Sequence, residues 1–179
     1  MAAGVTTVVG QKVGWALATV GKLTDIDTVL NSDVSINRNI LGQISMDDAG
    51  NEYIYLLGVA STVAGSWVNY DNLFQTQLMT TGLGAAGSAA TGPVAVALGA
   101  VLALQFGWYA IRHSFVFGLC VSDTFAVNSP VYTSATPGSV DDDTAAGETV
   151  YGAWNRTLGT TTSSNFQIMH PFKQGQSGA

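Results

Sequence analysis

The chain has 179 residues, 47% of them hydrophobic and only 10% charged, with a formal net charge of −6. That apolar fraction supplies a core and excludes wholesale disorder, while six Lys and Arg residues are too few for the basic stripe that binding a nucleic-acid backbone requires. Charged residues make up about a quarter of an ordinary soluble domain, so much of this surface is expected to be covered by neighbours or built from Gly-, Ser- and Thr-rich strands and turns.

The length suits one compact unit with any arms attached. Residues 5–9 are apolar, but they follow no basic residue and soon meet Gly10, Gln11 and Lys12, so no secretory leader is expected. Residues 1–45 hold three of the six basic residues, Lys12, Lys22 and Arg38, and one aromatic, Trp15. Hydrophobic residues come there in bursts: Val8, Val13, Trp15 and Leu17, then Leu23, Ile26 and Leu30. The second burst falls at i, i+3 and i+7, which suits two turns of amphipathic helix opened by Thr24 or Asp25. Nothing in this segment is long enough to bury its own core. It is expected to be an arm, extended or partly helical, that docks on a neighbour through Val13, Trp15, Leu17, Leu23, Ile26 and Leu30.

Strand character begins after a turn signal, Asp47-Asp48-Ala49-Gly50-Asn51. Residues 52–59 (EYIYLLGV) are rich in aromatic and branched side chains and apolar on both faces, as for a strand covered on both sides. Residues 66–70 (SWVNY) read as a second strand, paired with the first as a hairpin. Residues 80–92 (TTGLGAAGSAATG) form a low-complexity bridge. Further strands are expected at 94–98, 107–111, 115–121 and 130–134, with Pro130 at a strand start where no N–H is needed; residues 98–105 suit helix or loop equally. Thr136-Pro137-Gly138-Ser139 has the residues of a type II turn. Two last strands follow at 148–153 and 165–169, Pro171 ends the regular structure, and residues 173–179 form a loose tail. Short strands separated by turns predict an all-β fold, a small barrel or sandwich, spanning 46–172.

Residues 93–111 carry no charge and only one strongly polar side chain, Gln105, so by length they resemble a membrane-spanning helix. Gly99, Gly107, the strand-forming pair Trp108–Tyr109 and the lack of basic residues on the N-terminal flank argue against that.

Chemistry-bearing residues are sparse. His113 and His170, the only histidines, have no His, Cys or Glu at ligand spacing, so no metal site is predicted. The single Cys120 permits no intrachain disulfide and reads as a small buried hydrophobe. The aspartates cluster in turns, 47–48 and 141–143, as punctuation; consecutive aspartates at 141–143 invite a Ca²⁺ reading, but the EF-hand spacing is absent. Residues 82–87 spell GxGxxG without the helix and downstream acid that a dinucleotide site needs. Asn155-Arg156-Thr157 matches a glycosylation acceptor but carries no weight where no secretory leader is expected. Neither catalysis nor a cofactor is expected. Trp154, after an acidic turn-rich segment, reads as a contact anchor.

Several segments recur in the order of a known family: Leu41-Gly42, Asp48-Ala49-Gly50-Asn51-Glu52-Tyr53-Ile54-Tyr55-Leu56, Gly58-Val59-Ala60-Ser61-Thr62, Gly65-Ser66-Trp67-Val68 and Tyr70-Asp71. The later segments agree: Gly92-Pro93-Val94-Ala95-Val96-Ala97, Gly107-Trp108-Tyr109, residues 131–142 (VYTSATPGSVDD) and residues 147–153 (GETVYGA). Over residues 41–172 the chain resembles the head decoration, or cement, proteins encoded beside the major capsid protein in tailed bacteriophages. The departures are the longer arm before Leu41 and the 115–120 stretch. The resemblance implies a β-barrel or sandwich, commonly a homotrimer, made in the bacterial cytoplasm and bound to the outside of the capsid head in the virion. Its partners would be the major capsid protein and copies of itself, with no catalytic motif, nucleic acid or membrane. It also turns residues 93–111 into two buried strands and a connection. An exterior adhesion module binding host-surface glycans or a receptor is the alternative function.

Overall fold

The structure, a computed structural model, describes residues 40–81, 92–121, 124–144, 148–159 and 162–173. Within them no helix occurs. Ten strands follow one another: β1 (Ile44–Met46), β2 (Glu52–Leu57), β3 (Trp67–Tyr70), β4 (Thr76–Leu78), β5 (Gly92–Ala97), β6 (Phe106–Leu119), β7 (Pro130–Thr133), β8 (Val140–Asp141), β9 (Thr149–Asn155) and β10 (Ser163–Lys173). They form one sheet in the order β1-β2-β6-β5-β10-β9-β7-β8, with β3 on β5 and β4 on β3. The fold is all-β, as expected, and it is a sheet folded into layers rather than a closed barrel. No described helix is long and apolar enough to cross a membrane.

The layers arise from β6, whose fourteen residues exceed the length of an ordinary strand. Its first half lies between β2 and β5, so that Ala110 faces both Tyr53 and Val96. Beyond that point β10 replaces β5 along the same edge, from Met169 opposite Arg112 to Ser163 opposite Leu119. One strand thereby belongs to two layers, β2-β6-β5-β3-β4 and β6-β10-β9-β7-β8. Between them lies the main core, where Tyr53, Trp67, Val94, Val96 and Ala110 meet Val116, Val131, Val150, Ala153, Phe166 and Ile168. Phe166 is its hub, edge-on to Trp67 at 5.1 Å and to Phe125 at 5.4 Å. The first layer curls around a second cluster that includes Ile54, Leu56, Val68, Tyr109 and Ile111. Its far edge is held to β2, since Leu57 N donates to Phe74 O at 3.0 Å and Thr76 Oγ1 donates to Leu57 O at 2.8 Å.

Several local expectations hold. Residues 47–51 turn β1 into β2, with Gly50 at φ +81° and Asp47 Oδ1 accepting from Ala49 N and Asn51 N. Residues 136–139 turn as expected, closed by Ser139 N on Thr136 O at 3.1 Å. Residues 93–111 form β5, a connection and the start of β6, and residues 98–105 contain no helix. Cys120 is buried.

Four expectations are corrected. β2 and β3 do not form a hairpin: β2 pairs with β1 and β6, and β3 with β4 and β5, because the tight turn at 47–51 delivers β1 to the free edge of β2. The segments 107–111 and 115–121 are one strand. The polar residues 112–114 look like an interruption, yet each is engaged: Arg112 Nη1 donates to Glu52 Oε1 on β2, His113 Nδ1 accepts from Phe115 N within the strand, and Ser114 N donates to Asn51 Oδ1 in the turn preceding β2. Pro171 does not end β10, because the ladder slips between Ile168 and Phe172 and a bulge tolerates a missing N–H. Lys173 is not tail but the buried last residue of β10. The short strands β1, β4 and β8 carry too few residues to show periodicity, and β1 crosses the expected arm boundary at 45–46.

Lys173 closes the body at one end. Its Nζ lies 3.4 Å from Glu148 Oε2 and donates to Thr80 O at 2.8 Å, with both charged side chains over nine-tenths buried. Thr133 Oγ1 donates to the same carboxylate oxygen at 3.0 Å and accepts from Glu148 N at 3.0 Å. Removing one partner of such a pair strands a buried charge and costs about 3–5 kcal/mol. Lys173→Met is therefore expected to lower urea-denaturation stability by roughly that amount, and the Lys173→Met/Glu148→Met double variant to regain most of it. A single-variant loss below about 1 kcal/mol, the range of an exposed pair, would show that the pair is solvated.

Candidate interaction surface

β6, β10 and β9 lie side by side, and the register of their pairing decides what they turn outward. In β10, Ser164, Phe166 and Ile168 point into the core, which leaves Asn165, Gln167 and Met169 outside. The phase then slips at His170, whose φ of +48° is costly for a residue with a Cβ, and Phe172 emerges on the same outer face. β9 makes the matching slip at Gly152, φ +75°, where a Cβ would stand 2.6 Å from Met169 O. Tyr151 and Trp154 consequently share the outer face, opposite Phe172 and Gln167. In β6 a register shift beside Phe166 turns Phe115 and Phe117 outward around the buried Val116.

The result is a stripe of six large side chains, Phe115, Phe117, Tyr151, Trp154, Met169 and Phe172, each between 40% and 52% exposed. Single exposed apolar residues are ordinary, but six large ones on one sheet face, with the outward Asn165 and Gln167 between them, make a candidate interaction site. Flat, aromatic and Met-containing, it has the composition of an interface centre.

A polar cluster borders the stripe. Glu52 accepts from Arg112 Nη1 at 3.0 Å on one oxygen and lies 3.1 Å from His170 Nε2 on the other. Beside it Asp47 Oδ2 accepts from Tyr53 Oη at 2.9 Å and Asn51 Nδ2 at 2.7 Å. Burial pushes Asp47 upward, but the bonds from Asn51, Tyr53 and Ala49 outweigh it and hold the carboxyl below its usual value of 3.8. Burial raises the Tyr53 phenol, and its bond to Asp47 adds to the rise. His113 stands edge-on to the Tyr53 ring at 6.0 Å, and burial lowers its pKa from 6.5 against the pull of Asp47. Its Nδ1 already accepts from Phe115 N, which also favours the neutral ring. The two histidines thus sit beside two neighbouring register shifts of the sheet, His113 with Phe115 N and the Tyr53 ring and His170 with Glu52. Among the described residues no group of three or more His, Cys, Asp and Glu could hold a metal ion.

Of the expected contact residues, Trp154 is on the exposed stripe. Val13, Trp15, Leu17, Leu23, Ile26 and Leu30 lie outside the described residues, as does the GxGxxG run. At the dismissed acceptor motif 155–157, Asn155 is fully buried, and its Nδ2 donates to Phe125 O and Ala126 O at 3.0 Å, so it is a structural residue of the folded state. The aspartates at 141–143 act as turn punctuation, with Asp141 Oδ1 accepting from Asp142 N at 2.8 Å and Asp142 Oδ2 from Ala126 N at 3.3 Å.

The lowered pKa of His113 sets a pH dependence. The unfolded chain takes up the proton first as pH falls, so stability declines from about pH 6.5 down to the folded-state pKa and is level below it. Urea midpoints at about pH 7.5 and about pH 5.5 should differ in the natural protein and differ less in His113→Gln. An undiminished difference in His113→Gln would contradict this assignment. Comparison of the chain with family models, with curated proteins and with solved structures returns no match.

Proposed function

We propose that this chain is a head-decoration protein of a tailed bacteriophage, one that binds the exterior of the major capsid shell and holds it closed against the pressure of packaged DNA. The observation that carries this reading is the outward apolar stripe on β6, β10 and β9. A protein with 10% charged residues and a broad aromatic face is suited to being gripped by other proteins. The ordered segments between residues 41 and 153 that resemble the decoration family supply the particular partner.

The mechanism is physical rather than chemical. A subunit that binds the assembled seam between capsid subunits, and not the separated parts, shifts the equilibrium toward the closed shell. Covering the remaining exposed half of six large side chains removes roughly 600 Å² of apolar surface, about 15 kcal/mol gross at ~25 cal/mol per Å². Association itself costs about 4–15 kcal/mol. One face therefore gives a modest net affinity, and a homotrimer in which three copies bind together multiplies it through effective concentration. The net charge of −6 suits the outer surface of a particle, away from DNA and repelling other particles.

The test is to add the purified protein to shells lacking it and measure rupture on heating. The natural chain should bind and raise the rupture temperature. Trp154→Ser and Phe117→Ser, both at exposed positions, should fold normally, bind at least about tenfold more weakly, a loss of ~1.4 kcal/mol, and protect correspondingly less. Full occupancy with no change in rupture would remove the reinforcing role, and undiminished binding by both variants would remove the stripe from the contact.

A further inference from the structure

We infer that the β3–β4 hairpin carries a second, separate binding site, a groove for a neutral saccharide. It lies on the first layer, apart from the apolar stripe on β6, β10 and β9.

Strand alternation places Asn69 and Asp71 from the β3 side and Gln75 and Gln77 from the β4 side on one face of the hairpin, with Asn69 directly opposite Gln77. Together with Tyr70, Thr76 and Val59 they line a groove of about 310 Å³, a volume within the small-molecule range.

Asn69 is the informative member. It is 5% exposed, and its Nδ2 has no hydrogen-bond partner in the protein. An unmatched buried amide costs about 1–3 kcal/mol, and Asn69 is one of the residues that line the groove. Asp71 spends Oδ1 on Leu73 N and Gln75 N, both at 2.9 Å, which fixes the hairpin turn and leaves Oδ2 toward solvent.

The chemistry selects the ligand class. Carboxamides donate and accept side by side, and a carboxylate accepts from two hydroxyls; vicinal sugar hydroxyls present the same alternation. No cation lines the groove, and Asp71 opposes negative charge, so sialylated, sulfated and phosphorylated ligands are disfavoured.

The experiment is an NMR titration of the full-length ¹⁵N-labelled protein with maltotetraose and chitotetraose as neutral probes and sialyllactose as the anionic one. At least one neutral probe should shift the side-chain amides of Asn69, Gln75 and Gln77 saturably, and sialyllactose should not. Gln77→Ala and Gln75→Ala, both at exposed positions, should each weaken that binding about tenfold while leaving the spectrum elsewhere, and shell binding, unchanged. The inference is overturned if neither neutral probe moves these amides up to about 10 mM, if the shifts map elsewhere, or if sialyllactose binds equally well. Shell binding by the stripe is read separately, so either result leaves the other reading to stand or fall alone.

Discussion

Everything in this molecule depends on β6 changing neighbours partway along its length. A fourteen-residue strand cannot keep both edges in one flat sheet, because strands twist relative to one another and accumulate curvature. Here the edge held by β5 at Tyr109 and Ala110 passes to β10 from Arg112 onward. The sheet folds over at that point, and the faces of its two halves close on Trp67, Phe166 and their neighbours.

The exchange has a local cost, concentrated in a few residues. His170 takes a left-handed backbone, β10 and β9 slip in register together, and Gly152 is required where β9 approaches Met169 O. The polar cluster of Asp47, Glu52, Arg112 and His170 sits where the ladder is least regular, and Glu52 ties β2 to β6 and β10 there through side-chain contacts. The same slips set the surface. Without them Tyr151 and Trp154, or Met169 and Phe172, would fall on opposite faces, since one residue of register reverses a strand. The apolar stripe is therefore a product of the bulges, which are commonly placed where a protein re-aims side chains.

That explains what could be read in the amino-acid sequence. The all-β class was legible because aromatic and branched residues recur in short runs between turn residues, and β2, β5, β7 and β9 fall close to their expected places. The turns at 47–51 and 136–139 were legible from local chemistry alone. Pairing was not, because nothing between Leu57 and Trp67 tells β2 to choose β1 and β6 over β3. The continuity of β6 was hidden by the polar run Arg112, His113 and Ser114, of which Arg112 bonds to Glu52 and Ser114, through its backbone N, to Asn51, both distant in the chain. Of the stripe, Trp154 stood out by position, whereas Phe115, Phe117, Met169 and Phe172 become outward residues only once the bulges are known. The groove beside Asn69 was invisible for a similar reason: its amides are unremarkable until β3 and β4 are laid together.

The central claim is that the outer face of β6, β10 and β9 is covered by other protein chains when this protein is at work. Hydroxyl-radical footprinting of the protein, isolated and then assembled on capsid particles, reads that face directly. The account predicts that Phe115, Phe117, Tyr151, Trp154, Met169 and Phe172 lose most of their reactivity on assembly, while the exposed Leu73, on the β3–β4 hairpin, stays reactive. Equal labelling of the six in both states would contradict it.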